Sequence, residues 1–236
     1  LLHELGHAIG LAHPHANDPN LPDGSTFPGV TSPSSKGDYD LNQCIFTVMT
    51  YVDGWQTQYP NHTALPGNFG FGYQATPMAF DIAAIQAIYG PSLSCAPDNS
   101  TYELPTASGP GIGWRSIFDT GGHDILSAAS ATGSSIISLA AAPLAGPQAG
   151  GSVSFVQGVI GGFTIANGVV IEDARGSGFA DTIIGNQAAN TLFGGLGDDN
   201  LDGGQGDDVL YGEAGADTIN GGDNIDTVTY VDAACV

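Results

Sequence analysis

The sequence predicts an α+β chain in two parts: helices and loops over residues 1–92, then an all-β part over residues 93–236 that includes a coil of parallel strands. Three observations carry this. In residues 1–14, LLHELGHAIGLAHP, two histidines stand four apart as on one helix face, and residues 77–89, PMAFDIAAIQAIY, space their apolar positions at the helical period. From Ser100 onward that period gives way to short β-branched runs set apart by Gly and Ser. Residues 176–229 then divide without a gap into six units of nine, each opening on Gly.

In the first segment His3 and His7 lie four apart, so a helix projects both imidazoles from one face and lets them hold one metal ion, with Glu4 beside them. Gly10 can leave the helix through a positive φ that a Cβ would resist, and the reversal can return His13 to the same ion. Three neutral imidazoles suit zinc and leave a fourth position open, where zinc brings the pKa of water to ~7 and Glu4 can take the proton. The chemistry implied is hydrolysis of a peptide bond. A helix end merely rich in histidine is the competing reading, and the Gly and third His at fixed offsets count against it. HELGHAIGLAH matches the HExxHxxGxxH zinc motif at every fixed position, so the chain resembles the metzincin metalloproteases. Pro14, directly after the third His, resembles the serralysin branch.

Residues 17–43 have turn composition and read as an irregular surface loop, whose Asp18, Asp23, Asp38 and Asp40 are either calcium ligands or solvated charges. The apolar run CIFTVMTYVDGW, residues 44–55, places Met49 two residues before Tyr51. TVMTY resembles the serralysin form of a turn whose methionine lies as an apolar floor beneath the zinc histidines. The resemblance implies that structural role for Met49, and for Tyr51 a place close enough to reach the zinc or the developing oxyanion, where a phenol donates to negative charge. A core Met and a core Tyr are the plain alternatives. Residues 53–76 read as loop near the specificity pocket. His15 and His62 lack helical or tight-turn spacing to His3 and His7 and are expected to be exposed.

Residues 77–89 form an expected amphipathic helix: Pro77 suits the first turn, Ile82, Ile85, Ile88 and Tyr89 fall at helical spacing, and Gly90 with Pro91 stops it. It resembles the helix that closes metzincin catalytic domains. Residues 1–92 are accordingly expected to be the C-terminal part of such a domain, and residues 93–236 a serralysin-type C-terminal domain. Strand-like runs follow at 116–118, 135–139, 152–156 and 169–171. FDTGGHDIL, residues 118–126, is similar to a serralysin calcium loop, which implies Asp119, Gly121, Gly122 and Asp124 as ligands, with Glu172 as a further one. The Arg, Gly and Thr that usually precede that loop in the family have no counterpart in residues 96–101.

The six units are GSGFADTII, GNQAANTLF, GGLGDDNLD, GGQGDDVLY, GEAGADTIN and GGDNIDTVT. Position six is Asp181, Asn190, Asp199, Asp208, Asp217 and Asp226; position eight is Ile183, Leu192, Leu201, Leu210, Ile219 and Val228. This is the pattern of a parallel β-roll, as in the RTX family. Six residues make a turn with exposed carbonyls, three make a short strand with its aliphatic side chain inward, and two units complete one coil. An ion between stacked loops of units i and i+2 takes Asp oxygens and backbone carbonyls, matching calcium's need for about 6–8 hard ligands. The residues assigned to calcium are Gly194, Gly195, Gly197 and Asp199 in unit three and Gly203, Gly204, Gly206 and Asp208 in unit four. Gly212, Ala214 and Asp217 follow in unit five and Gly221, Asp223 and Asp226 in unit six. Gly197, Gly206, Gly215 and Asn224 keep a residue tolerant of left-handed backbone at position four, whereas Phe179 and Ala188 depart from it. Calcium is therefore expected between units three and five and between four and six, and is not assigned beside units one and two.

Composition agrees. Against 24 acidic residues stand only Lys36, Arg115 and Arg175, a net charge of −21 that disfavours nucleic acid and anionic membranes and favours cations as partners. With 42% hydrophobic residues the chain is unlike a disordered acidic tail. No apolar run approaches the ~20 residues of a membrane span. Cys44, Cys95 and Cys235 lack metal-type spacing; a Cys44–Cys95 pair and isolated thiols are both open. The sequence opens inside the zinc helix and shows no capping strands after Thr229, so a fragment is expected, one that binds zinc poorly and cleaves little by itself.

The resemblance as a whole implies a secreted, extracellular zinc endopeptidase with one catalytic zinc, several structural calcium ions and Glu4 as general base. It also implies protein or peptide substrates, export by a dedicated secretion system and a monomeric state. The alternative from another class is a calcium-dependent binding or adhesion module with a vestigial protease segment. The intact set of His3, Glu4, His7, His13, Met49 and Tyr51 counts against it. A third reading is another metzincin with a borrowed roll.

Overall fold

The computed structural model describes residues 1–15, 28–52, 73–92 and 94–229. Among the described residues helix α1 spans Leu2–Ala8 and helix α2 Ala79–Tyr89, with a 3-10 turn at Asp38–Asp40 between them, and thirteen short strands follow. Chain order thus separates a helix-and-turn part from a strand part, but packing joins them. Ile45, Phe46, Met49 and Met78 share one buried cluster with Trp114, Ala149, Val153 and Phe155, which come from beyond residue 92.

Eleven of these strands form two sheets that are almost wholly parallel, and β2(Trp114–Ile117) pairs with β6(Gly162–Ile165) in a separate parallel pair. One of the two sheets is ordered β1(Thr101–Glu103), β3(Ile125–Ser127), β7(Asp173–Arg175), β9(Thr191–Leu196), β11(Val209–Ala214) and β13(Thr227–Thr229). The other is ordered β12(Thr218–Asn220), β10(Asn200–Asp202), β8(Thr182–Ile184), β4(Ser135–Ser138) and β5(Phe155–Val156), the last pair antiparallel. Register follows the repeat: Ile183 lies beside Leu201 and Leu201 beside Ile219, Leu192 beside Leu210 and Leu210 beside Val228. A turn of nine residues per strand places equivalent residues 18 apart, so each position-eight side chain stacks on its own kind. Ile183, Leu192, Leu201 and Leu210 are wholly buried. Each such burial is worth about 1.5–3 kcal/mol relative to exposure. The stack fades at the last coil, where Ile219 is only partly buried and Val228 is 38% exposed.

Several elements differ from the sequence expectation. Residues 169–171 are not a strand: Val169 N–H closes a turn onto the Ala166 carbonyl, and the Ile171 carbonyl is taken by the Asn186 side-chain amide instead of a neighbouring strand. The strands expected at 116–118 and 152–156 are seen as β2(Trp114–Ile117) and the two-residue β5. Helix α2 starts at Ala79, because the buried Asp81 carboxylate accepts the Met78 N–H and makes Met78 the cap. Nor is α2 amphipathic as expected, since Ile88 and Tyr89 are 54% and 66% exposed whereas Asp81 is buried. Among the described residues no helix is long and apolar enough to cross a membrane. Asp18, Asp23, residues 53–72 with His62, and Cys235 lie outside the described residues. Cys44 is buried and Cys95 exposed, and no disulfide joins them.

Candidate metal centre

Helix α1 carries His3 and His7 one turn apart, and the chain then reverses. The Gly10 N–H bonds the His7 carbonyl, the Leu11 N–H bonds the Gly6 carbonyl at 2.9 Å, and Gly10 adopts φ +95°. The reversal returns His13, whose Nε2 lies 3.0 Å from His3 Nε2 and 3.1 Å from His7 Nε2. His3 Nδ1 faces the Val48 carbonyl at 2.8 Å and His7 Nδ1 faces the Leu11 carbonyl at 2.9 Å. A carbonyl can only accept, so each Nδ1 carries the proton and each Nε2 presents a bare lone pair to the cluster. Lone pairs converging in this way repel unless a cation lies among them. Zinc–nitrogen bonds of about 2.0–2.1 Å imply tetrahedral N···N edges of ~3.3 Å, slightly wider than the distances seen. The donor set therefore fits zinc. It is the one cluster of three such side chains among the described residues. His13 has its pKa lowered, first by burial and then by the neighbouring His7, His3 and His15.

Tyr51, 61% exposed, brings its hydroxyl to 2.8 Å from His13 Nε2. Glu4 is exposed on α1, adjoining His3. Met49 is buried with its sulfur against Gly6, so closely that a Cβ on Gly6 would collide with it. His15, expected to be exposed, is instead partly buried and stacks on His13 with ring centroids 5.0 Å apart, so spacing along the chain did not reveal it. Sequence reading also missed Asp81. Its Oδ1 accepts the Thr47 hydroxyl at 2.6 Å and its Oδ2 the Val48 and Met78 N–H groups at 2.8 Å. Burial raises its pKa while those three donors oppose the rise.

A second set of carboxylates gathers in the strand part. Asp119 Oδ1 accepts the Gly121 N–H at 3.0 Å, and Tyr102 donates its hydroxyl to Asp119 Oδ2. Asp124 Oδ1 accepts the Ser100 N–H at 2.7 Å, while Glu172 accepts the Asp124 N–H at 2.8 Å. Gly122 rests on the Asp98 carbonyl. The chain at 98–100 thus closes on this loop through its backbone, although it lacks the expected Arg, Gly and Thr. Asp124 Oδ2 is buried without a hydrogen-bond partner, and burial raises this carboxyl's pKa.

In the repeats the position-six side chains form ladders. Asp199 Oδ1 accepts the Asp181 N–H at 2.8 Å and Asp208 Oδ1 the Asn190 N–H at 2.7 Å; Asp217 and Asp226 repeat the bond to Asp199 and Asp208. The Oδ2 atoms of Asp199 and Asp208 are buried and unpartnered. Burial, followed by the charges of Asp181, Asp217 and Asp198, pushes Asp199 up to about 6. Gly194, Gly203, Gly212 and Gly221 back directly onto Oδ2 of the Asp in their own unit. Gly195 and Gly204 at position two, and Gly197, Gly206, Gly215 and Asn224 at position four, have positive φ. The Ala214 carbonyl accepts the Gly197 N–H, and the Asp223 N–H bonds the Gly204 carbonyl. Buried carboxylate oxygens without donors, beside carbonyl-rich turns, fit a hard cation.

Units one and two are built differently. Ser177, Phe179, Asn186 and Ala188 do not take the positive φ of positions two and four. Asp181 Oδ2 accepts both N–H and hydroxyl of Ser177. The Asn190 amide donates to the Glu172 carbonyl at 2.9 Å and the Asn186 amide to the Ile171 carbonyl at 2.8 Å. Neutral donors here occupy the oxygens that later coils leave open.

Comparison with known proteins finds one matching family and several relatives. A family model of the RTX calcium-binding nonapeptide repeat matches residues 175–210 and 193–228. A protein from Pseudomonas marginalis described as metallopeptidase AprA is 34% identical over 80% of this chain and 37% of its own length. A serralysin from Proteus mirabilis is 32% identical over 80% of this chain and 35% of its own, and serralysin C from Dickeya chrysanthemi 37% identical over 78% and 35%. The chain spans little more than a third of the length of these curated relatives.

Proposed function

The chain is serralysin-like and carries RTX calcium-binding nonapeptide repeats, and from that premise we propose that the protein is a secreted zinc endopeptidase whose roll is held together by calcium. The observation that carries this reading is the convergence of three Nε2 atoms, with the proton of His3 and of His7 held on the far nitrogen by a backbone carbonyl. Zinc among them supplies a Lewis acid and an acidified water. Glu4 takes the proton as general base and returns it to the leaving amine. Tyr51 donates its phenol hydrogen to the oxyanion of the attacked peptide. Residues 1–92 are the C-terminal part of the catalytic domain in this reading, with Met49 as floor, and residues 93–236 the calcium-bearing domain.

Calcium belongs in three places on this account. One ion lies with Asp119, Gly121, Gly122, Asp124 and Glu172, and others lie between the loops of units three and five and of units four and six. Calcium outside the cell lets the roll fold after export through a dedicated secretion system, so that the monomeric enzyme acts extracellularly on peptides and unfolded proteins. Because residues 1–236 by themselves are expected to cleave little, the test is turnover of an unfolded protein by the zinc-loaded protein expressed from its full reading frame and by the same protein carrying Glu4→Gln. The variant is expected to keep its zinc and lose at least about 100-fold in rate. Equal turnover by both refutes the role of Glu4 and with it the hydrolytic mechanism.

A further inference from the structure

We propose that Asp81 is a positioning residue for the metal centre, acting on His3 through the Thr47 hydroxyl and the peptide group between Val48 and Met49. The inference rests on the zinc reading above. Four links make the connection. The Asp81 carboxylate accepts the Thr47 hydroxyl hydrogen at 2.6 Å. The same hydroxyl oxygen accepts the Met49 N–H at 3.0 Å. The carbonyl of that same peptide group, Val48 O, accepts the His3 Nδ1–H at 2.8 Å. His3 Nε2 then faces the cluster.

Hydrogen bonds in series polarise one another: a peptide whose N–H is drawn toward an acceptor carries more negative charge on its oxygen. A more negative Val48 oxygen holds the His3 ring in one plane and one tautomer and makes Nε2 a stronger donor to a metal. Outer partners of this kind are worth about 10–100-fold in metal affinity. Here the carboxylate acts at two removes instead of touching the imidazole.

Helix capping alone does not account for Asp81. A cap needs one acceptor for the first turn, which the Met78 N–H bond already provides. Burying a carboxylate is costly unless it is fully bonded. Its other two partners, Thr47 Oγ1 and Val48 N, belong to the turn beneath the histidines and not to α2. All three partners are donors, so nothing there receives a proton from the carboxyl and the ionised form is the one they suit. His7 supplies a contrast within the site. Its Nδ1 donates to the Leu11 carbonyl, but among the described residues no acceptor is drawn to the Ala12 N–H on that same peptide.

The test compares Thr47→Val, which cuts the series while leaving the Val48 and Met78 bonds to Asp81, with Thr47→Ser, which keeps it. Chelator competition is expected to show zinc held about 10-fold or more weakly by Thr47→Val and almost normally by Thr47→Ser. With cobalt in place of zinc, the visible absorption bands shift in Thr47→Val alone. Melting in chelator measures any purely structural loss separately. Affinity within about twofold of the unaltered protein for Thr47→Val, or an equal loss in Thr47→Ser, overturns the proposal. An unaltered protein that takes up no zinc sinks the zinc reading itself, a different outcome. Should Thr47→Val fail to fold, the unaltered protein still decides. In the nitrogen-resolved proton spectrum of its zinc form the His3 Nδ1–H is expected downfield of the His7 Nδ1–H, and coincident or reversed resonances overturn the proposal.

Discussion

Replacing Gly6 by Ala sets two known effects against each other at the centre of the site. Gly6 lies inside α1, where Ala is favoured over Gly by up to about 1 kcal/mol. The new Cβ, however, would sit inside contact distance of the Met49 sulfur, 3.4 Å from Met49 Cε and 3.6 Å from Leu11 Cδ1. Met49 has little room to retreat, being 2% exposed among Leu11, Ile45 and Met78. Overpacking of this kind costs about 1–3 kcal/mol. The balance is a net loss of up to about 2 kcal/mol in the unit that contains α1. Truncating the obstacle reverses the sign: in a Met49→Ala background the same change is expected to stabilise by up to about 1 kcal/mol, since only helix propensity remains. Denaturant unfolding of the four proteins of this cycle in chelator measures both values. If Gly6→Ala stabilised the unaltered and the Met49→Ala proteins alike, Met49 would not be the floor that the geometry implies.

Two further outcomes concern the roll. Chelating calcium is expected to expose the amides of β10 to β13 to hydrogen exchange while the Ile183 amide stays protected, because Ser177, Asn186 and Asn190 close the first coil with their own hydrogen bonds. Uniform loss of protection along residues 182–229 would contradict this. In the same metal-free protein, Asp199 is pushed from 3.8 up to about 6, and Asp208 and Asp124 are raised in the same direction. Between about pH 4 and 6 the folded state then binds more protons than the unfolded one, so its stability falls as pH rises through that window. Calcium, which favours the ionised carboxylates, is expected to oppose that slope. Melting at pH 4.5 and at pH 7, with chelator and with calcium, checks both signs.

What could be read from the sequence is what short spacing dictates. His3, Glu4, His7, Gly10 and His13 fix their geometry within one turn and one reversal, so the cluster follows from thirteen residues. The nonapeptide likewise sets its own register, because a nine-residue period with two strands per coil leaves only an 18-residue stack. What escaped depends on partners distant in the chain. Nothing near Asp81 in the sequence shows that its carboxylate reaches Thr47, 34 residues earlier. His15 has no ligand spacing, yet the fold lays it on His13. Residues 169–171 have the composition of a strand, but Asn186 satisfies the backbone there in another way. The change of composition near residue 92 gives no hint that Trp114 and Phe155 pack with Phe46 and Met49.

The central claim is that His3, His7 and His13 hold one zinc ion. Anomalous diffraction from zinc-supplied crystals, recorded on either side of the zinc absorption edge, tests it most directly. The account predicts a single strong peak about 2.0–2.1 Å from the three Nε2 atoms. The absence of a peak there, or a peak bound through His15 in place of one of the three, would contradict it.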